Sequence, residues 1–173
     1  MKKLARLTAL LLTGALLLVL TACGAVTETE TEQQAKQRLL DEINSYRASI
    51  RLDPLVEVKQ LSDAEQVWAE QFRVAGKTEL PTSKMNETRQ KWKSMTENWT
   101  RYDSFGRGMN QDASGELSDI LFAMVPANTP AGKAELLATL KVRPAFNNSA
   151  CTSIGIAVVT IDGQMYWICS VYS

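Results

Sequence analysis

The end of the chain leaves the fewest structural options. Ile154, Ile156 and Val158 alternate with Gly155, Ala157 and Val159, and Asp162-Gly163 separates this run from Met165, Tyr166, Trp167, Ile168, Val171 and Tyr172. Asp-Gly between β-branched and aromatic runs signals a two-residue hairpin. With that turn, Cys169 stands opposite Ile156. The preceding chain reads as helices. Ala35, Leu39, Ile43, Tyr46 and Ile50, with Leu40, form one apolar stripe from about Gln33 to Ile50. Pro54 ends it by disfavouring helix at Asp53. Ser62-Asp63-Ala64-Glu65 has the spacing of a capping box and predicts a second helix, with stripe Ala64, Val67, Trp68, Gln71 and Phe72, stopped at Gly76. Residues 77–93 are polar, contain Pro81 and read as an irregular connection. A short strand is expected within Met95 to Tyr102. Helices are expected over Asp112 to Val125 and Pro130 to Val142, the latter opened by Thr129-Pro130. Helices first and an antiparallel hairpin last make the fold class α+β.

The chain begins with a different kind of segment. Lys2, Lys3 and Arg6 precede an apolar run from Leu7 to Leu20, and Leu20-Thr21-Ala22-Cys23 follows. A cationic start and a short apolar run make a secretory signal. The run is shorter than the ~20 residues needed to span a bilayer. Its last four residues resemble the bacterial lipobox, which implies cleavage after Ala22 and a diacylglyceryl group on Cys23. Each buried acyl CH₂ then contributes about 0.8 kcal/mol to anchoring. The Thr/Glu-rich stretch from Gly24 to Glu32 has no apolar face and reads as an extended, self-repelling tether. The organisation is therefore residues 1–22 signal peptide, 23–32 lipidated Cys and tether, and 33–173 one domain. The expected location is the extracytoplasmic face of the cell membrane, held by the Cys23 lipid.

Composition narrows the chemistry. The chain of 173 residues has 19 basic and 19 acidic side chains and no histidine. Zero net charge removes the usual argument for nucleic-acid binding. Removal of residues 1–22 takes away three basic side chains and no acidic ones, leaving 16 against 19. Without histidine there is no Ser-His-Asp or Cys-His nucleophile system and no imidazole zinc site. A Ser-x-x-Lys pattern is also missing from the sequence.

Several segments share the order of one family. Ile43-Asn44-Ser45-Tyr46-Arg47, Leu52 with Pro54-Leu55, Trp68-Ala69-Glu70, Thr96-Glu97-Asn98, Ile154-Gly155-Ile156-Ala157-Val158 and Tyr166-Trp167 together resemble the CAP superfamily of SCP-like extracellular domains. The resemblance covers about residues 36–173. It implies an α-β-α sandwich around a small antiparallel sheet. Family members often carry a cleft of two His and two acidic residues that binds a divalent metal. Here one of those His positions falls on Val142, the following Arg is kept as Arg143, and the other His has no counterpart between Gly76 and Met95. Glu97 and Asn98 match the family's Glu-Asn, with Thr96 where the family has Gly. The remnant cleft would be Glu97, Asn98 and Arg143, with no metal or other cofactor. A lone Glu97 also fits a structural carboxylate accepting backbone hydrogen bonds. Trp92 and Trp99 flank it and fit either a ligand groove or core packing.

Two functions follow from the sequence. One is a membrane-anchored lipoprotein whose degenerate, non-catalytic domain binds a protein, a cell-wall component or an apolar ligand. The other is a hydrolase with an acid-only site around Glu97. Cys151 and Cys169 are the remaining thiols after Cys23 is lipidated, and export favours a bridge between them. That bridge requires the chain from Cys151 to Ser153 to fold back over the strand ends. Relatives in the family often join the positions of Ile156 and Cys169 instead.

Overall fold

Two β-sheets and four α-helices make up the computed structural model, which describes residues 30–173. The expected signal peptide, Cys23 and most of the expected tether lie outside the described residues. Residues 31–173 form one unit with its own core. No helix among the described residues is long and apolar enough to cross a membrane.

The first helix, α1, spans Glu32–Ser49 and starts one residue earlier than the stripe suggests. Thr31 from the expected tether caps it, accepting from the Gln34 N–H while the Gln34 side chain accepts from the Thr31 N–H. β1, Val56–Glu57, runs directly into α2, Lys59–Ala75. The expected capping box at Ser62 is therefore not a helix start. Backbone bonds from Val56 to Thr152 and from Val58 to Ile154 hold the chain extended up to Val58, and the helix turns at once. Ser62 Oγ instead sits inside the helix, donating to Glu57 Oε1 at 2.7 Å and accepting from the Ile156 N–H at 3.1 Å. Gly76, at φ 62°, closes α2 as expected.

The segment from 77 to 93 is not irregular. It holds β2, Glu79–Pro81, a short 3₁₀ turn over Thr82–Met85 and most of α3, Asn86–Thr96. The strand expected within residues 95–102 lies later: Met95 and Thr96 still belong to α3, and β3, Arg101–Phe105, overlaps the expected span only at Arg101 and Tyr102, with β4, Arg107–Gln111, following it. The helix expected over 112–125 is absent. Asp112 accepts from the N–H groups of Ser114 and Glu116 and from Ser114 Oγ, and this turn sends the chain back as β5, Leu117–Leu121. An acid that binds the backbone two residues on favours a turn over a helix. The last helix, α4, is Pro130–Val142 with Thr129 as its cap, as expected.

The hairpin is β6, Ser153–Ile161, and β7, Gln164–Tyr172, in the expected register with Ile156 facing Cys169. Asp162 and Gly163 both have positive φ, at 49° and 76°, as a primed turn requires. The main sheet has strand order β1-β6-β7-β3. Its β1 edge is parallel to β6, so the sheet is mixed where an antiparallel one is expected. A second sheet, β2-β5-β4, lies outside it.

Helices cover both faces of the main sheet. Ile154, Ile156, Val158, Trp167, Cys169 and Val171 pack with Leu39 and Ile43 of α1 and Leu136 and Leu140 of α4. The other face sets Ala157, Val159 and Ile168 against Trp68, Ala69 and Phe72 of α2. Gly155 lets α2 approach: a Cβ there would lie 2.6 Å from the Leu61 backbone. The architecture is α+β, with the first-face core closed and the second-face core leading out to a polar pocket.

Candidate functional site

Glu65 marks the pocket. It follows Leu61 and precedes Trp68, Ala69 and Phe72 at helical spacing, so the apolar face of α2 carries a carboxylate into the protein. Its residue is fully buried. The N–H of Trp92 on α3 donates to Glu65 Oε1 at 3.0 Å, and Arg107 Nη1 on β4 lies 3.5 Å from Oε2. A buried carboxylate needs such partners, because an unpaired one is strongly disfavoured.

Arg107 joins two indoles. Its guanidinium lies 4.4 Å from the ring centre of Trp92 and 4.9 Å from that of Trp68. Arg101 lies 5.1 Å from the Trp92 ring and Arg89 lies 5.8 Å from the Trp68 ring. Arg89, Trp68, Arg107, Trp92 and Arg101 thus form a continuous series of cation–π contacts, each worth about 0.5–2 kcal/mol according to burial. Arg89 ends in an ion pair with Asp119 at 2.5 Å. Arg107 Nη2 donates to Ser170 Oγ at 3.2 Å. Burial lowers the pKa of Arg107, and the neighbouring Glu65 charge opposes this. Tyr172, behind the series, is raised to about 12 by burial, with Glu65 adding to the shift.

The cation–π series and Asp119 line a cavity of about 410 Å³ together with Lys93, Ser104, Gly108 and Met109, and Glu65 lies behind its wall. Among the described residues, Arg101 and Lys93 make no ion pair. Three lining atoms are buried without a hydrogen-bond partner there: Trp68 Nε1, Arg89 Nε and Asp119 Oδ2. The pocket is therefore cationic at its rim and aromatic in its walls, with unpaired polar atoms sealed behind them.

The remnant cleft read from the sequence is elsewhere. Glu97 is exposed at the C-terminal end of α3, and Asn98 is exposed beside it. Among the described residues no hydrogen bond or ion pair engages the Glu97 side chain, so it does not take the backbone-accepting role either. Arg143 lies at the end of α4 with its guanidinium 4.8 Å from the Phe105 ring. Neither Glu97, Asn98 nor Arg143 lines the cavity. Of the two flanking tryptophans, Trp92 is in the pocket wall, while Trp99 packs edge-on against Tyr172 at 6.3 Å. No three His, Cys, Asp or Glu side chains come together as a metal-ligand set among the described residues.

Cys151 and Cys169 are both buried free thiols in the structure. The ladder continues straight through Ser153 opposite Tyr172, and the Thr152 N–H still bonds to Tyr172 O.

No protein-family model matches this chain. No curated protein matches it in sequence either.

Sequence reasoning missed Glu65, Trp68, Arg101 and Arg107 as a group. The legible signal was Glu65 itself, an acid on the same helical face as Trp68, Ala69 and Phe72. Its partners come from α3 and β4, Trp92 and Arg107, whose approach to α2 no local pattern announces.

Proposed function

We propose that this protein is a lipid-anchored, extracytoplasmic binding protein whose domain is a CAP-like α-β-α sandwich without catalytic activity. The lipobox ending in Cys23, the order of family-like segments and the placement of helices on both faces of the main sheet support this reading. The single observation that carries the binding role is the pocket of Arg107 between Trp68 and Trp92. Its buried charges are already committed to each other: Glu65 to Trp92 and Arg107, Asp119 to Arg89. Such a site can hold a ligand in one orientation through groups fixed in place.

Detergent phase partitioning tests the anchor. Wild type is expected in the detergent phase and Cys23→Ala in the aqueous phase, and a freely soluble wild type would refute the lipoprotein reading. A bridge between Cys151 and Cys169 belongs to the same reading, since both are exported. Thiol titration of the denatured, unreduced Cys23→Ala protein is expected to find no free thiol, and two per chain would refute the bridge. A bridge closing this loop of about 19 residues adds about 3 kcal/mol in the chain-entropy model.

A further inference from the structure

α4 is apolar on two opposite sides. Its inner stripe, Gly132, Leu136 and Leu140, is buried in the core. Its outer stripe is Ala134, Leu137, Ala138 and Val142, again at helical spacing, and all four are exposed, Val142 by 75%. A surface helix normally turns polar side chains outward, and one that is apolar all round is a helix that something covers. The stripe is a ridge between two grooves. Phe122 and Met124, both exposed, line one of about 260 Å³ with Glu135 and Thr139 of α4. Tyr46 and Ser49 of α1 line the other, of about 330 Å³, with Ala134 and Leu137. Four of the ten large apolar side chains exposed among the described residues, Phe122, Met124, Leu137 and Val142, thus gather here, which makes a patch and not scatter.

Two observations favour a lipid surface as the cover. The first is the place of α4 in the chain's anchoring. It shares its face of the main sheet with α1, and Lys133 pairs with Glu42 of α1 at 2.7 Å. α1 begins at Glu32, and Cys23 precedes its cap, Thr31, by eight residues, which span at most about 29 Å. The layer that carries the patch is the one the tether enters. The second is charge. Residues 129–143 hold Lys133, Lys141 and Arg143 against Glu135 alone, and Lys141 makes no ion pair among the described residues. Anionic headgroups neutralise such a rim. A second copy packed by two-fold symmetry would set the same basic residues near each other instead.

We propose that the outer face of α4, with Phe122 and Met124, docks on an anionic phospholipid surface. The apolar side chains enter the boundary between headgroups and acyl chains, and Lys133 and Lys141 extend their stems towards the phosphates. The inference rests on the lipid-anchor reading and goes beyond it, because a lipid on a tether leaves the domain free to turn, whereas this face fixes which side meets the membrane. The pocket of Arg107, Trp68 and Trp92 leads out from the opposite face of the main sheet and is then turned away from the bilayer.

Two measurements test it. In the first, the full lipoprotein in vesicles of phosphatidylglycerol and phosphatidylcholine carries an NBD fluorophore at Leu137→Cys or, as control, at Gln90→Cys, an exposed position on α3. Doxyl-labelled phosphatidylcholine in the same vesicles should quench position 137 about threefold more than position 90. In the second, residues 31–173, the unit with its own core, should float with phosphatidylglycerol vesicles. Leu137→Gln combined with Val142→Gln should lower that binding about tenfold with Tm unchanged, since both side chains are exposed. Equal quenching at the two positions on vesicle-bound protein, no flotation, or flotation untouched by the two substitutions overturns the proposal. A label at position 137 that is shielded from water but not quenched assigns the face to a second copy and overturns it too. The flotation arm contains no Cys23, so a freely soluble wild type refutes the anchor while flotation still decides the fate of this face.

Discussion

Arg47 and Arg107 are both withdrawn from water, and their surroundings differ in kind. Arg47, at the end of α1, is fully buried and spends its N–H groups on backbone carbonyls: Nε on Asp53 at 2.7 Å, Nη1 on Phe146 and Asn148 at 3.3 and 3.1 Å, and Nη2 on Cys151 at 3.0 Å. No acid takes part. The guanidinium ties three stretches of loop to the helix that precedes them, and burial lowers its pKa while Cys151 and Asp53 oppose this. Arg107 instead makes one hydrogen bond to a side chain, one long ion pair, and two face contacts with indoles. An arginine held by its donors belongs to the fold. One held by its faces keeps a charge fixed at a cavity wall.

The largest expected effect breaks the first half of this comparison. Arg47→Met fills the space but strips the carbonyls of Phe146 and Cys151 of their donor. Each buried acceptor left unpaired costs about 1–3 kcal/mol, so a loss of about 3–5 kcal/mol is expected in urea unfolding. Arg47→Lys keeps the charge without the fork and should fall between. Loss below about 1 kcal/mol for the Met variant would mean that water serves those carbonyls well.

Arg107 should behave differently when its partner is changed too. Arg107→Met alone leaves the buried Glu65 carboxylate with only the Trp92 N–H, and a loss of about 2–4 kcal/mol is expected, in the range for a buried pair broken on one side. Glu65→Gln combined with Arg107→Met removes the stranded charge and should return stability to within about 1 kcal/mol of wild type. A double-mutant cycle in the same unfolding assay reads the coupling. If the double variant stays as weak as Arg107→Met, Arg107 is a clamp of the Arg47 kind and the distinction collapses.

The same contrast explains what could be read from the chain beforehand. Local devices carry their own signature: Asp162-Gly163 set the hairpin register, Thr129-Pro130 opened α4, and Gly76 closed α2. The second sheet carries none. β4 shows three exposed residues in succession, and Asp119 occupies one of the two buried positions of β5. α3 is almost wholly polar, and it meets the rest through Thr88, Thr96, the half-buried Trp92 and the Arg89 ion pair with Asp119. Glu97 drew attention through likeness to a motif, yet it stands on the surface. The pocket's residues are separated by up to 51 positions in the chain, from Trp68 to Asp119, and meet only because α2 packs on β6 and α3 and β4 pairs with β5. Charge pairing over such distances has no periodicity to betray it.

The smallest expected effect sharpens the comparison with a pair outside both regions. Glu57 on β1 accepts from Lys36 of α1 and from Ser62 of α2, each within 2.8 Å. Burial alone would raise its pKa, but the hydrogen bonds from Lys36 and Ser62 and the Lys36 charge outweigh this and leave it below the ordinary value of 4.5. A folded-state pKa below the unfolded one stabilises the protein at pH above 4.5, and that contribution disappears as pH falls through the depressed value. Glu57→Gln should therefore lower stability at pH 7 by no more than about 1 kcal/mol, the upper range for partly exposed pairs, and should match wild type once the carboxylate is protonated. Urea midpoints between pH 7 and pH 3 give the curve. A gap that persists at pH 3 would mean that Glu57 acts through the Ser62 hydrogen bond and its link to Ile156, as a structural acceptor of the Arg47 type, and not through its charge.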